Sequence, residues 1–153
     1  MMTKILFICH GNICRSPMAE YIFKKLAKEQ GKEDLFFVSS AATSTEEIGN
    51  DIYPPAKRCL EAHHIPFERR HARRIIKEDL DYYDYIIVME EYNLRNLVRM
   101  FGENPKFKML LEKDIDDPWY SGDFETTYKE IEEGCKKWIS RPKSGDLRAL
   151  QPK

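Results

Sequence analysis

Cys9 and Arg15 stand with five residues between them in Cys9-His10-Gly11-Asn12-Ile13-Cys14-Arg15, and Ser16-Pro17 follows at once. A short apolar run, Lys4 to Ile8, precedes the segment and reads as a buried strand. Ser16 suits a helix N-cap and Pro17 the first helical position, so a helix should begin where the segment ends. A loop between a strand and a helix N-terminus gathers free N–H groups and the positive end of a helix dipole. Gly11 is expected to let that loop turn sharply and Asn12 to take left-handed backbone angles, so successive amides form a nest for an anion. A cysteine at the base of such a nest sits in a positive field that favours the thiolate, the nucleophilic form. Arg15 offers a planar fork for two phosphate oxygens and for charge that develops on them in a transition state. Ser16 can donate a hydrogen bond to Cys9 sulfur when the thiolate becomes a leaving group. Together these residues point to phosphate-ester chemistry.

That chemistry needs a proton donor for the leaving group and later a base for water. No acidic residue precedes Cys9, so the acid must come from downstream. Asp117, in Asp116-Asp117-Pro118-Trp119-Tyr120, is the leading candidate, with Asp116 and Asp114 as competitors. Its loop follows the last expected strand, which in a parallel sheet returns to the edge that carries Cys9. Pro118 stiffens the loop, and Trp119 and Tyr120 can wall an aromatic ring. The Cys-x5-Arg spacing alone proves little, because Cys135 and Arg141 repeat it with Cys135 inside an expected terminal helix and no glycine between them.

Strand-like and helix-like stretches alternate, as in an α/β fold with a parallel sheet. After the first helix, expected to run to about Gly31, strands are expected at Leu35 to Ser39, Tyr85 to Met89 and Phe107 to Leu111. Ala41 to Asn50 reads as a loop, and helices are expected from Pro54 to His64, Lys77 to Tyr82, Glu91 to Met100 and Phe124 to Ile139. The basic run Arg69 to Arg74 reads as a solvated loop pairing with nearby acidic helices. The expected organisation is one domain over residues 1–140 and a polar tail over 141–153.

With 153 residues, 42% hydrophobic and 33% charged, and a net charge of −1, the composition is that of a globular domain. It does not suggest a nucleic-acid or membrane-surface protein. No apolar run is long enough for a signal peptide or a membrane span, so a cytoplasmic location and four reduced cysteines are expected. No Cys-x-x-Cys pair exists and the four histidines show no ligand spacing with the cysteines, so a zinc site is not expected, nor any other metal or cofactor.

The segment Ile8-Cys9-His10-Gly11-Asn12-Ile13-Cys14-Arg15-Ser16-Pro17-Met18-Ala19-Glu20 resembles the signature of the low-molecular-weight protein-tyrosine phosphatases. Asp117-Pro118-Trp119-Tyr120 is similar to that family's acid loop, and Ser39 to Thr43, Tyr85 to Met89 and Phe124-Glu125 are also family-like. The resemblance spans about Lys4 to Ile139. It implies a four-stranded parallel twisted sheet in the order 2-1-3-4, helices on both faces, and a phosphate-binding loop after strand 1. It implies Cys9 as nucleophile, Arg15 as phosphate clamp and Asp117 as general acid and then base. His10, Gly11, Ile13 and Cys14 would line the loop, Asn12 would shape it through a bond near Ser40, and Ser16 would assist the thiolate. Cys14 would trap oxidised Cys9 as a reversible disulfide. The implied reaction is hydrolysis of phosphotyrosine in proteins or peptides, and of small aryl phosphates, through a phosphocysteine, by a monomer or weak dimer.

Where the family commonly carries His-x-Ala-Arg this chain has Arg70-His71-Ala72-Arg73, so His71 should not make the family's contact to the loop. Glu46 stands where some members place an aromatic, and His10 directly follows the nucleophile. Four rivals remain. A thioredoxin-coupled arsenate reductase needs further cysteines, yet none lies between Cys59 and Cys135. A protein-arginine phosphatase resembles this chain but carries threonine at the position of Ile13, whose apolar side chain favours an aromatic ring. A sugar-phosphotransfer carrier domain needs neither Arg15 nor the Asp117 loop. A catalytically silent binding module would lack one of Cys9, Arg15 or Asp117.

Overall fold

The computed structural model describes residues 2–141, and the expected tail lies, apart from Arg141, outside the described residues. Strand β1 (Thr3–Cys9) is buried on both faces, as a central parallel strand should be. Ile5, Phe7 and Cys9 face one core, and Leu6 and Ile8 face the other. β1 pairs in parallel with β2 (Phe36–Ala42) on one side and β3 (Tyr85–Val88) on the other, and β4 (Phe107–Met109) extends the sheet beyond β3. The order is β2-β1-β3-β4.

Helices α1 (Arg15–Glu29), α2 (Pro54–Ala62) and α6 (Phe124–Ile139) cover the Phe7 face, where Phe23, Leu60 and Ile131 meet. Helices α3 (Lys77–Tyr82) and α4 (Glu91–Phe101) cover the other face through Leu80 and Leu97. The fold is one α/β domain with helices on both faces of a parallel sheet. No helix among the described residues is long and apolar enough to cross a membrane.

Several boundaries differ from the sequence reading. β2 continues to Ala42, three residues past its expected end, because Ala42 N–H donates to Arg73 O and Ala42 O accepts from Ile75 N–H. Leu35 belongs to a 3-10 turn (Glu33–Leu35) ahead of that strand. The segment around Asp117, expected as a loop, holds α5 (Pro118–Ser121), a single helical turn capped by the Asp117 side chain. Ser16 is not the N-cap of α1: the helix starts at Arg15, its cap position is Cys14, and no side chain caps it. Ser16's hydroxyl is committed instead to Cys9 and Asn12. Cys135, the sulfur of the repeated Cys-x5-Arg spacing, is fully buried inside α6, and Arg141 lies over the Trp138 ring, so that second match builds no loop.

Candidate active site

Cys9 is the last residue of β1, at the carboxyl edge of the sheet where open α/β folds bind ligands. Its Sγ accepts a hydrogen bond from Asn12 N–H at 3.2 Å and lies 3.0 Å from Ser16 Oγ. The backbone N–H groups of Gly11, Ile13 and Cys14 have no partner among the described residues, and the start of α1 adds its own free donors. The loop is therefore rich in unspent donors beside a sulfur nucleophile.

The sharp turn comes from Asn12, with φ of 62°, and not from Gly11, whose φ is not positive. Gly11 instead permits a close approach: a Cβ there would lie 3.1 Å from the Glu47 side chain. Asn12 holds its strained conformation with every polar atom of its side chain. Nδ2 donates to Ser16 Oγ (2.8 Å) and Ser40 Oγ (3.0 Å), and Oδ1 accepts from Arg70 Nη2 (2.8 Å) and Arg73 N–H (3.2 Å).

Arg70 also donates to Asn12 O at 3.1 Å and to Ser40 Oγ at 3.1 Å, and Ser40 donates to Glu20 Oε1 at 2.7 Å. Thus the basic run is not a freely solvated loop. Arg70 braces the Cys9–Arg15 loop through Asn12, Arg73 forks onto Asp79 of α3, and Arg74 donates to Thr43 O. His71 Nδ1–H donates to Gly49 O at 2.9 Å, not to the loop. Sequence reading missed Arg70, because the chain there offers only a run of arginines.

Arg15 is buried, and its guanidinium meets Glu90, Ile115 O (3.0 Å) and Asp117 Oδ2 (3.2 Å). Burial alone would pull the Arg15 pKa down; the charges of Cys9, Asp117 and Glu90 outweigh it and raise the pKa above its ordinary value. Glu90, at the end of the β3 edge, is a site residue that no sequence signal marked. The competing acids are engaged elsewhere. Asp116 accepts from Ser121 Oγ at 2.6 Å, and Asp114 accepts from Glu91 N–H at the start of α4. Asp117 alone of the three touches Arg15.

These groups line an open cleft of about 410 Å³. His10, Ile13, Trp119 and Tyr120 also line it. His10 Nε2 meets Glu46 at 2.8 Å on the rim. Ile13 packs with Cys14 and Ala72, while Trp119 is half exposed and rests on Tyr53 with ring centroids 4.9 Å apart. Tyr120 is 85% exposed at the mouth of the cleft. Burial pushes the Cys14 thiol well up, and the charges of Cys9 and Asp117 push it further, so Cys14 stays protonated beside the nucleophile. A second groove of about 400 Å³, lined by Phe23, Phe36 and Phe67 among others, contains no cysteine.

Residues 4–146 match the family described as low molecular weight phosphotyrosine protein phosphatase. A human relative with that description is 40% identical over 149 residues, which cover 90% of this chain and 94% of the relative. The structure of a low molecular weight protein tyrosine phosphatase from Streptococcus pyogenes superposes with a TM-score of 0.87 at 36% identity, covering 96% of this chain and 97% of that one. A Drosophila arginine phosphatase superposes with a TM-score of 0.83 at 30% identity, covering 94% and 100%.

Proposed function

The chain belongs to the low molecular weight phosphotyrosine protein phosphatase family, and from that membership we propose that it hydrolyses phosphotyrosine in proteins through a phosphocysteine on Cys9. The observation that carries the assignment of roles is the meeting of Cys9, Arg15 and Asp117 in one cleft.

In the first step Cys9 thiolate attacks phosphorus, the S–P bond forms, and the P–O bond to the tyrosyl oxygen breaks. Asp117 carboxyl delivers a proton to that oxygen, so the phenol leaves neutral. The free N–H groups of the loop and the Arg15 fork take the three equatorial oxygens, whose charge would otherwise be left in a dry site. In the second step Asp117 carboxylate accepts a proton from water as its oxygen attacks phosphorus. The S–P bond breaks, the thiolate leaves with the Ser16 hydroxyl donating to it, and phosphate departs.

Ile13 and the Trp119 and Tyr120 rings supply an apolar wall for the substrate ring. When peroxide converts Cys9 to a sulfenic acid, Cys14 thiol condenses with it to a disulfide and water, protecting the nucleophile from further oxidation. The reading extends to a cytoplasmic monomer that needs no cofactor for turnover.

The Drosophila likeness supports a second reading, phosphoarginine hydrolysis, against which the apolar Ile13 argues. One turnover assay on phosphotyrosine, phosphoserine and phosphoarginine peptides separates them. Phosphotyrosine should give the highest kcat/KM; equal rates, or preference for phosphoarginine, would overturn the substrate assignment. In the same assay Cys9→Ser should abolish p-nitrophenyl phosphate turnover, and EDTA should leave it unchanged. Asp117→Ala should lower turnover about 10²–10⁴-fold while Cys9 is still phosphorylated; unchanged turnover would reassign the acid.

A further inference from the structure

Cys59, His63 and Glu125 lie outside the cleft, and neither the phosphate loop nor the acid loop uses them. Cys59 sits on α2, and His63 follows one helical turn later, its N–H donating to Cys59 O at 3.2 Å. A four-residue interval puts both side chains on one face. Glu125 comes across from the first turn of α6. One ligand atom from each lies within 4.8 Å of the other two.

We propose that Cys59, His63 and Glu125 form a binding site for a divalent transition cation of the zinc type. Sulfur, imidazole and carboxylate together suit zinc, whereas magnesium and calcium require oxygen sets. Bonds of about 2.0–2.3 Å to a tetrahedral ion place donors roughly 3.3–3.8 Å apart. Cys59 Sγ and Glu125 Oε2 already stand 3.6 Å apart. His63 Nε2 and the same Glu125 Oε2, now 3.0 Å apart, need to part only slightly to admit the ion.

The His63 ring is held flat on Tyr128, centroids 3.6 Å apart and planes 8° from parallel, so its orientation is set in advance. Glu125 faces solvent and His63 is partly exposed, which leaves a way in and a fourth position for water. On binding, the metal–sulfur bond forms as the Cys59 thiol proton passes to solvent, and the metal–nitrogen bond forms as the proton that His63 Nε2 shares with Glu125 leaves that nitrogen, the neutral ring keeping its one proton on Nδ1. The expectation that no histidine stands at a ligand spacing from a cysteine does not hold for Cys59 and His63, and the third donor, Glu125, arrives from another helix. The bound ion ties α2 to the start of α6. There Phe124 packs on Tyr53, the ring that also carries Trp119.

The test uses the full chain with Cys9→Ser, which removes the active-site thiolate as a competing ligand. Titration with cobalt as a probe should give one equivalent with a near-ultraviolet thiolate-to-cobalt band, bleached by one equivalent of zinc. Cys59→Ser in that background should lose the band. His63→Gln keeps a hydrogen bond to Glu125 but not the imidazole, so it should melt like its parent in EDTA yet bind zinc at least about tenfold more weakly. A band that survives Cys59→Ser, zinc affinity unchanged by His63→Gln, or no stoichiometric binding would each overturn the proposal. If Cys59→Ser does not fold, the His63→Gln affinity decides.

Discussion

Asn12 Nδ2 gives away both of its hydrogens, one to Ser16 Oγ and one to Ser40 Oγ. Ser40 sends its own proton to Glu20, so the single proton of Ser16 is left for Cys9 sulfur. In the proposed reaction that chain of donors leaves Ser16 to assist the thiolate, most of all when sulfur must leave phosphorus. A hydrogen bond to a charged group contributes about 1.5–3 kcal/mol, or roughly 10–100-fold in rate. Ser16→Ala should therefore lower kcat by about that factor with little change in KM, and phosphocysteine should accumulate in rapid-quench experiments. Loss confined to KM would show that Ser16 only shapes the loop. Cys14, by contrast, has its thiol pushed up by burial, which explains how two sulfurs can share one loop with a single nucleophile.

Elements, rather than single residues, decide how firmly the loop is held. Arg70 lies 58 residues from Asn12, and no local pattern marks it; the same holds for Glu90, which meets Arg15 across the sheet edge. The loop from Cys9 to Arg15 was legible as a unit because its residues share one short segment between a strand and a helix. Their braces were not, because those come from loops brought together only by the parallel sheet. Arg70→Met strips the fork from Asn12 and leaves the nearly buried Glu20 with fewer partners, so it should cost about 2–3 kcal/mol in urea unfolding and lower kcat as well. Unchanged stability would mean that Asn12 keeps its left-handed angles without help. A second element-scale test lies where α6 meets the residue after β4. Alanine at Gly134 would gain roughly 1 kcal/mol of helix propensity, but its Cβ would stand 2.4 Å from Leu110 Cγ and 2.8 Å from Cδ1. Leu110 is buried and cannot swing aside, so overpacking of about 1–3 kcal/mol prevails. Gly134→Ala should lower Tm by a few degrees; a rise would show that α6 can shift outward.

Over the whole molecule, alternation of apolar runs with helical patterns was enough to indicate an α/β domain, since each run is long enough to cross a sheet once. The order β2-β1-β3-β4 was expected from family resemblance, not from periodicity, because pairing depends on contacts between distant segments. Those distant contacts also set the response to acid. Asp51, in the segment before α2, accepts from Lys57, from its neighbour Ile52 N–H and from Arg70 N–H, joining α2 to the segment that braces the phosphate loop. Burial works against its ionised form, but these partners prevail and hold its pKa down at about 2, against about 3.9 in an unfolded chain. A group depressed on folding contributes its full stability above the unfolded value and loses it as pH falls toward the folded one. Asp51 therefore stabilises the protein fully at neutral pH, and the contribution should fade between about pH 4 and pH 2. Asp51→Asn should have a lower urea midpoint than wild type at pH 7. The two midpoints should converge as pH is lowered through that window, where wild type alone loses the ion pair. Because Arg70 hangs from the same carboxylate, the variant should also give lower kcat at neutral pH. Midpoints that stay equally far apart down to pH 2 would remove Asp51 from the acid response and leave it a purely local cap.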